Sequence, residues 1–322
     1  MGEPVVWIPR PVHEDAVALV RERAEVVLGY GDRAVGFDEV CGRVTAILLR
    51  TERVDGAMMR RAPRLRVVAR HGVGVDTVDV VTARELGIVV TTTPGANAQS
   101  VAEHAVALML AVRRGIGIAV RGGGDTQEGS GGGSGGSAGS GGGSGDVRAA
   151  IRGRELSGSV LGLVGFGRIA RRVAAICSGG FGMRVLAHDP VLGDAEVRAG
   201  GAEPVRLEEL LSLADNVSLH VPLTDETRGL IGLERLRLMP EGAVVVNTAR
   251  GGVLDEDALV VALREGRLAG AGLDVTSVEP LPWDHPLRAE PNVVITPHVG
   301  AQTEEAMRRV ALEAAERVVE HL

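Results

Sequence analysis

Arg250, Glu279 and His298 each stand just past an apolar run: Arg250 after "VVVNTA", Glu279 after "LDVTSV" and His298 after "VVITP". Open parallel α/β sheets bind ligands beyond the C-terminal ends of their strands, so all three occupy positions where side chains meet a substrate. Each has a bland reading by itself: an arginine is usually a surface charge, and a histidine at a strand end is often a hydrogen-bonded structural residue. Together they suit one job. Hydride transfer to the carbonyl of a 2-oxo acid needs a cation to fix the carboxylate and polarise the carbonyl. It also needs an acid to protonate the developing alkoxide. Arg250 fits the first requirement. His298 fits the second if a carboxylate such as Glu279 stabilises its imidazolium and fixes its tautomer. In the oxidative direction the same histidine acts as base.

A hydride reaction needs a carrier, and the stretch "GLVGFGRIARRVA" is built to hold one. Gly165, Gly167 and Ala170 have the G-x-G-x-x-A spacing, after an apolar strand and at the start of a helix. The first glycine permits a tight turn, the second lets a pyrophosphate approach the backbone, and the small third residue lets helix and strand pack closely. The helix N-terminus then holds the phosphates. Asp189 ends the next predicted strand, 24 residues after Gly165. A carboxylate there accepts hydrogen bonds from the adenosine ribose and repels a 2′-phosphate, which favours NAD over NADP.

These residues require a scaffold of parallel strands. Before residue 100, "PVVWIP" (4–9), "TAILLR" (45–50), "LRVVAR" (65–70) and "GIVVTTT" (87–93) predict buried strands, with helices over 14–24 and 80–87. Such alternation is the mark of a helix-covered parallel sheet. A long amphipathic helix is expected from Ser100 to about Val120, opened by a Ser100–Glu103 capping box. After residue 150 the rhythm resumes, with strands at 160–165, 184–189, 216–221, 243–248, 270–275 and 292–297. Six strands with crossovers make a complete dinucleotide-binding sheet. The last helix, 303–322, has no sheet of its own left to cover, and packing it on the first domain makes that domain discontinuous.

Composition narrows the function classes. With 322 residues the chain has room for about two domains. The net charge of −7 is mild and spread along the chain, which disfavours nucleic acid or an anionic membrane as partner. No apolar run reaches membrane-spanning length. The N-terminus lacks signal-peptide features, so a cytoplasmic protein is expected. Cys41 and Cys177 are far apart among apolar or small residues and read as buried thiols. Neither a disulfide framework nor a metal site is expected.

The whole pattern resembles the D-2-hydroxyacid dehydrogenase family, which includes D-3-phosphoglycerate, glycerate and D-lactate dehydrogenases. The matching stretches are "RHGVGVDTVD" (70–79), "TTPGANAQSVAEHAVALML" (92–110), "GRELSGSVLGLVGFGRIARRVA" (153–174), "HVPLTDETRGLIG" (220–232), "VVVNTARGGVLDEDALVVAL" (244–263), "GAGLDVTSVEPLP" (270–282) and "VVITPHVGAQTEEA" (293–306). The resemblance implies two doubly wound parallel-sheet domains with the active site in the cleft between them. The expected substrate-binding domain is flavodoxin-like and takes residues 1–99 plus 301–322; the expected Rossmann NAD-binding domain takes 100–300. It implies Arg250, Glu279 and His298 as the catalytic set. For the cofactor it implies Gly165, Gly167, Arg168, Ile169, Asp189, His220, Pro222, Thr227, Thr248, Ala249 and Asp274. Of these, Asp274 is expected to meet the nicotinamide amide and Arg168 the pyrophosphate, while Thr248 and Ala249 line the nicotinamide pocket. For the substrate it implies the Val73 and Gly74 amides and, at the distal group, Arg50. A homodimer acting on a small 2-oxo or 2-hydroxy acid is the expected form.

Some positions depart from the family pattern. Ala170 stands where glycine is commoner, His188 and Thr276 stand where aromatics are usual, and no tryptophan follows "VRGG" (120–123). The chain ends after its last helix, so no regulatory domain of the kind carried by long phosphoglycerate dehydrogenases is expected. Two other readings belong to the same resemblance: a relative acting on a phosphite, phosphonate or aldehyde donor, and an NAD-sensing corepressor. The Glu279–His298 pair favours carbonyl chemistry, because formate-type hydride donation needs no proton shuttle.

One block is foreign to the pattern. "GSGGGSGGSAGSGGGSG" (129–145) contains only Ala138 besides glycine and serine. Family motifs stop before it and resume after it, so it interrupts one enzyme rather than joining two proteins. Such a coil spans roughly 20–25 Å on average, has nothing apolar to bury, and is expected to be disordered, exposed and without a catalytic role. The resemblance implies an ordered arm here, packed across the dimer.

Overall fold

The computed structural model describes residues 3–122 and 151–322; the Gly/Ser stretch 129–145 lies outside the described residues. The chain divides into two compact units, Met1–Ser100 with Ala301–Leu322, and Val101–Gly300.

The first unit is a five-stranded parallel sheet of β1 (Val5–Ile8), β2 (Glu25–Leu28), β3 (Ala46–Leu49), β4 (Val67–Arg70) and β5 (Val89–Thr91). Its order is β2-β1-β3-β4-β5, the flavodoxin-like arrangement. Successive residues of β1 serve opposite faces. Val5 and Trp7 pack with Ile47, Leu49 and Val68. Val6 and Ile8 pack with Ala46, Leu48 and Val67, under Ala311, Ala314, Ala315 and Val318 of the terminal helix Glu304–Glu320. Cover on both faces is why these strands read as continuous apolar runs. β2 was not among the expected strands. The helix anticipated over 14–24 stops at Arg21, and the short "EVVL" run that follows forms a half-exposed edge strand.

The helix anticipated from Ser100 to Val120 is corrected in two ways. It begins at Ala98, directly after the Gly95–Asn97 turn, so Ser100 is inside it and cannot cap it; the Ser100 hydroxyl instead bonds Thr303 Oγ1 at 2.8 Å. It also breaks after Arg113, at Gly115 (φ 63°), and restarts as Ile116–Gly122.

The second unit holds β6 (Val160–Val164), β7 (Arg184–His188), β8 (Glu203–Pro204), β9 (Asn216–Leu219), β10 (Ala243–Asn247), β11 (Leu268–Leu273) and β12 (Val293–Ile295). The order β12-β11-β10-β9-β6-β7-β8 is that of the dinucleotide-binding sheet with one more strand at its edge. The sheet has seven strands rather than six, because β8 pairs over only two residues and leaves no legible apolar run. Val244 and Val246 face a core shared with Met109 and Val112, while Val245 faces Leu219, Leu259 and Leu273. Among the described residues no helix is long and apolar enough to cross a membrane.

Candidate active site

The chemistry-bearing residues of the second unit follow the C-terminal ends of its strands. Gly165 follows β6, Asp189 follows β7, His220 follows β9, Arg250 closes the turn after β10, Asp274 follows β11 and His298 follows β12. The strand order reverses between β6 and β9, which is where this fold opens a ligand crevice.

The glycine turn is explained by its contacts. Gly165 has φ 86°, and a Cβ there would lie 2.9 Å from the carbonyl carbon and oxygen of His220. Only glycine fits both demands. Gly167 is the N-cap of the helix Arg168–Phe181, and a Cβ there would meet nothing within 4 Å. Internal packing therefore leaves Gly167 optional, and the open space lies at a helix end whose first N–H groups have no intrahelical acceptor. A pyrophosphate fits that space and those donors. Arg168 is exposed, Ile169 is half-buried, and Ala170 is buried against the sheet.

Asp189 is drawn into its own loop. Oδ2 accepts the Phe166 N–H at 2.8 Å, and Oδ1 accepts those of Val191 and Leu192 at 2.9 and 3.2 Å. Burial opposes the charge, but these three N–H donors hold its carboxyl below the ordinary value. Its anchorage on Phe166 ties the end of β7 to the glycine turn. His220 Nε2 lies 2.9 Å from Ser218 Oγ. Burial pushes its imidazole down to about 4, so it is neutral at pH 7. Thr227 Oγ1 donates to the Pro222 carbonyl at 2.6 Å and accepts the Thr224 N–H at 2.8 Å, closing the turn after β9.

Beyond β10, Asn247 shapes the turn that presents Thr248, Ala249 and Arg250. Its side chain accepts the Ala249 N–H at 3.0 Å and donates to the Arg250 carbonyl at 2.9 Å. The half-buried Arg250 donates to the Ala249 carbonyl at 2.7 Å. The buried Thr248 hydroxyl has no hydrogen-bond partner among the described residues, a polar atom left over just past the end of β10.

His298 and Glu279 meet directly, with His298 Nδ1 2.8 Å from Glu279 Oε2. The histidine ring is half exposed, at 51%. Because Nδ1 is taken by the carboxylate, Nε2 is the nitrogen left for chemistry. His298 is also the one non-glycine residue with positive φ among the described residues, at 53°. That conformation is disfavoured for a residue with a Cβ, and the neighbouring strand end enforces it. The His298 N–H donates to the carbonyls of Asp274 and Thr296 at 2.8 and 3.0 Å. The Asp274 carboxylate takes the next two N–H groups, Val299 on Oδ1 and Gly300 on Oδ2, both at 2.8 Å.

Asp274 itself is 3% exposed. Oδ1 also accepts from Thr296 Oγ1 at 2.7 Å and lies 3.2 Å from His104 Nε2. Burial works against its charge, but His104, Thr296 and the two backbone N–H groups outweigh it and pull the carboxyl down to about 2. The Asp274 carboxylate thus holds the loop that carries His298. Sequence reasoning missed Asn247, Thr296 and His104. Only His104 left a signal, as an imidazole on an otherwise apolar helix stripe.

In the first unit, Arg50 follows β3 and donates to the Pro11 carbonyl at 3.0 Å and to Gln302 Oε1 at 3.3 Å. Val73 and Gly74 sit in the loop after β4. Gly72 anchors that loop by donating to Thr93 Oγ1 at 3.0 Å and accepting the Thr93 N–H at the same distance. The Val73 side chain is exposed. Cys177 is buried, as its sequence context suggested, whereas Cys41 is only half-buried; both are free thiols.

The family model for the NAD binding domain of D-isomer specific 2-hydroxyacid dehydrogenases matches residues 138–300. The chain belongs to this family. It is 39% identical to a glyoxylate reductase of Aeropyrum pernix over 99% of this chain and 93% of that one. It is 38% identical to a D-3-phosphoglycerate dehydrogenase of Methanocaldococcus jannaschii, covering 97% of this chain but only 56% of that longer protein. A solved D-lactate dehydrogenase of Aquifex aeolicus, complexed with NAD and lactic acid, superposes with a TM-score of 0.77 at 29% identity, over 98% of this chain and 94% of that one. As a D-2-hydroxyacid dehydrogenase the chain is an NAD-dependent oxidoreductase.

Proposed function

We propose that this dehydrogenase interconverts a small 2-oxo acid and its D-2-hydroxy acid, with Arg250 orienting the substrate and the Glu279–His298 pair moving the proton. The observation that carries this reading is the 2.8 Å contact between His298 Nδ1 and Glu279 Oε2, on a histidine whose ring remains half exposed. NAD, when bound, supplies or accepts the hydride. The Gly165–Gly167 turn and the N–H groups of Arg168 and Ile169 would hold its phosphates, with the Arg168 guanidinium beside them. Asp189 would take the ribose, and His220, Pro222, Thr227, Thr248, Ala249 and Asp274 would line the rest of the site.

The protein's own groups then divide the work. The Arg250 guanidinium offers paired N–H donors to the substrate carboxylate and draws electron density from the carbonyl. The Val73 and Gly74 N–H groups bind the same carboxylate, and Arg50 takes a distal anion where the substrate has one. His298 Nε2–H gives its proton to the carbonyl oxygen as that atom becomes an alkoxide. Glu279 holds the Nδ1 proton throughout, so it fixes the tautomer and stabilises the imidazolium. We further propose that residues 1–99 with 301–322 form the substrate-binding domain, and that the active form is a homodimer.

Replacing His298 by Gln or Arg250 by Ala tests the assignment. Each change is expected to lower kcat about 10²- to 10⁴-fold, while NADH fluorescence still reports cofactor binding. Reduction of glyoxylate or hydroxypyruvate at the normal rate by the His298 variant would remove the proton-transfer role.

A further inference from the structure

A buried carboxylate outside the assigned set faces the loop that carries Glu279. Glu256 opens the helix Glu256–Arg264, a position where an acid normally points into solvent and complements the helix dipole. Here it is 8% exposed. Ser277 donates to it twice, through its N–H to Oε1 and through Oγ to Oε2 at 2.8 Å. His285 Nε2 lies 3.6 Å from Oε2, while its Nδ1 accepts the Leu287 N–H at 3.3 Å. A ring that accepts at Nδ1 carries its proton at Nε2, so the His285 edge nearest Glu256 is its N–H edge, just beyond hydrogen-bond length.

A second backbone segment closes on the same peptide. A Cβ on Gly251 would lie 2.0 Å from the carbonyl carbon of Thr276 and 2.3 Å from the nitrogen of Ser277. The Thr276–Ser277 peptide is therefore contacted both by Gly251, the residue after Arg250, and by the Glu256 carboxylate. Just before this peptide the Thr276 N–H donates to Glu279 Oε1 at 3.3 Å, and Thr276 Oγ1 donates to the Val278 carbonyl at 2.9 Å. The other oxygen of Glu279 meets His298.

We propose that Glu256 is a positioning residue for proton transfer: by holding Ser277 it sets the 276–279 turn, so that Glu279 meets His298 in register with Arg250. The inference rests on the reading of Glu279 and His298 as the acid/base pair. Glu256 touches neither substrate nor cofactor in this scheme. A Gln at 256 offers one acceptor oxygen where Ser277 needs two, so the turn loosens and Glu279 loses its fixed approach to the imidazole.

The test uses the full chain and follows NADH-dependent reduction of glyoxylate and hydroxypyruvate across pH, for Glu256→Gln, Ser277→Ala, Glu279→Gln and the Glu256→Gln/Glu279→Gln double variant. Thermal melting and NADH fluorescence titration accompany the kinetics. Glu256→Gln and Ser277→Ala are each expected to lower kcat about tenfold and to move the alkaline fall of the reduction profile to lower pH, with NADH affinity within about twofold of wild type. Glu279→Gln should move the profile further the same way, and the double variant should be no worse than Glu279→Gln alone, because both act on one device. A shift in Glu279→Gln without one in Glu256→Gln or Ser277→Ala overturns this inference and leaves the acid/base reading standing. An unmoved profile in Glu279→Gln overturns both. Should Glu256→Gln melt before assay, Ser277→Ala alone decides, since it removes the hydroxyl donor and keeps the buried carboxylate.

Discussion

Replacing Asp274 by Asn changes no atom count and little shape, yet the structure assigns it a definite cost. The carboxylate accepts from Thr296 Oγ1, from the Val299 N–H and from the Gly300 N–H, with His104 Nε2 at 3.2 Å. These donors win against burial and bring the carboxyl from 3.8 to about 2. At 1.36 kcal/mol per unit, the charged form therefore contributes about 2 kcal/mol to folding at neutral pH. An Asn gives the same order by another route. One of its two terminal positions becomes an NH₂ that must face a backbone N–H, and an unpaired buried donor costs about 1–3 kcal/mol. The two figures describe one loss and are not added. The folded value lies below the unfolded one, so the contribution is complete above pH 3.8 and fades as pH falls toward 2. Urea unfolding of wild type and Asp274→Asn at pH 7, 5, 4 and 3 measures it, read on the transition that NAD raises, since that transition reports the cofactor-binding unit. The expected gap is about 2 kcal/mol at pH 7 and 5 and smaller at pH 3. The His298 loop, released at Val299 and Gly300, should also lose kcat. A gap below about 0.5 kcal/mol, or one equally large at pH 3 and pH 7, would refute the account of this network.

The two fingerprint glycines should respond differently to alanine. Gly165→Ala forces a Cβ to within 2.9 Å of the His220 carbonyl at a φ of 86° and should destabilise the fold, whereas Gly167→Ala points into open space and should leave the melting temperature unchanged while weakening NADH binding; equal melting losses would contradict this. Burial, aided by the Arg50 and Arg70 charges, pushes His71 from 6.5 down to about 4. Protonating the buried ring therefore destabilises the fold by up to about 3 kcal/mol, a penalty absent above pH 6.5 that grows as pH falls toward 4, so the stability gap between wild type and His71→Asn should shrink across that window in urea titrations. Burial pushes the Cys177 thiol up to about 11, so a thiol reagent at pH 8 should label Cys41 quickly and Cys177 only on unfolding; fast double labelling would show the core around Cys177 to be open.

Fold and site were legible in the sequence to different degrees, for physical reasons. Strands covered on both faces must be apolar throughout, so β1, β3, β4, β6, β7, β9, β10, β11 and β12 announce themselves by composition. The two that escaped are the edge strand β2, half-exposed, and β8, with two paired residues. The Ser100 misreading has a similar cause: a capping pattern is local, whereas the preceding turn and the Thr303 hydroxyl decided where the helix began. Arg250, Glu279 and His298 could be proposed from sequence because strand ends are readable and the proposed chemistry needs those three types. The residues that hold them could not. Asp274 grips the His298 loop from 25 residues away, and Glu256 grips Ser277 from 21. Sequence by itself determined the two parallel sheets and the glycine turn, and it restricted the candidates for the reacting groups, because burial, backbone freedom and proton chemistry each restrict residue type. Tertiary structure alone decided which carboxylates hold the loops around the His298 imidazole, Asp274 at Val299 and Gly300 and Glu256 at Ser277, because hydrogen bonding depends on distances that only packing sets.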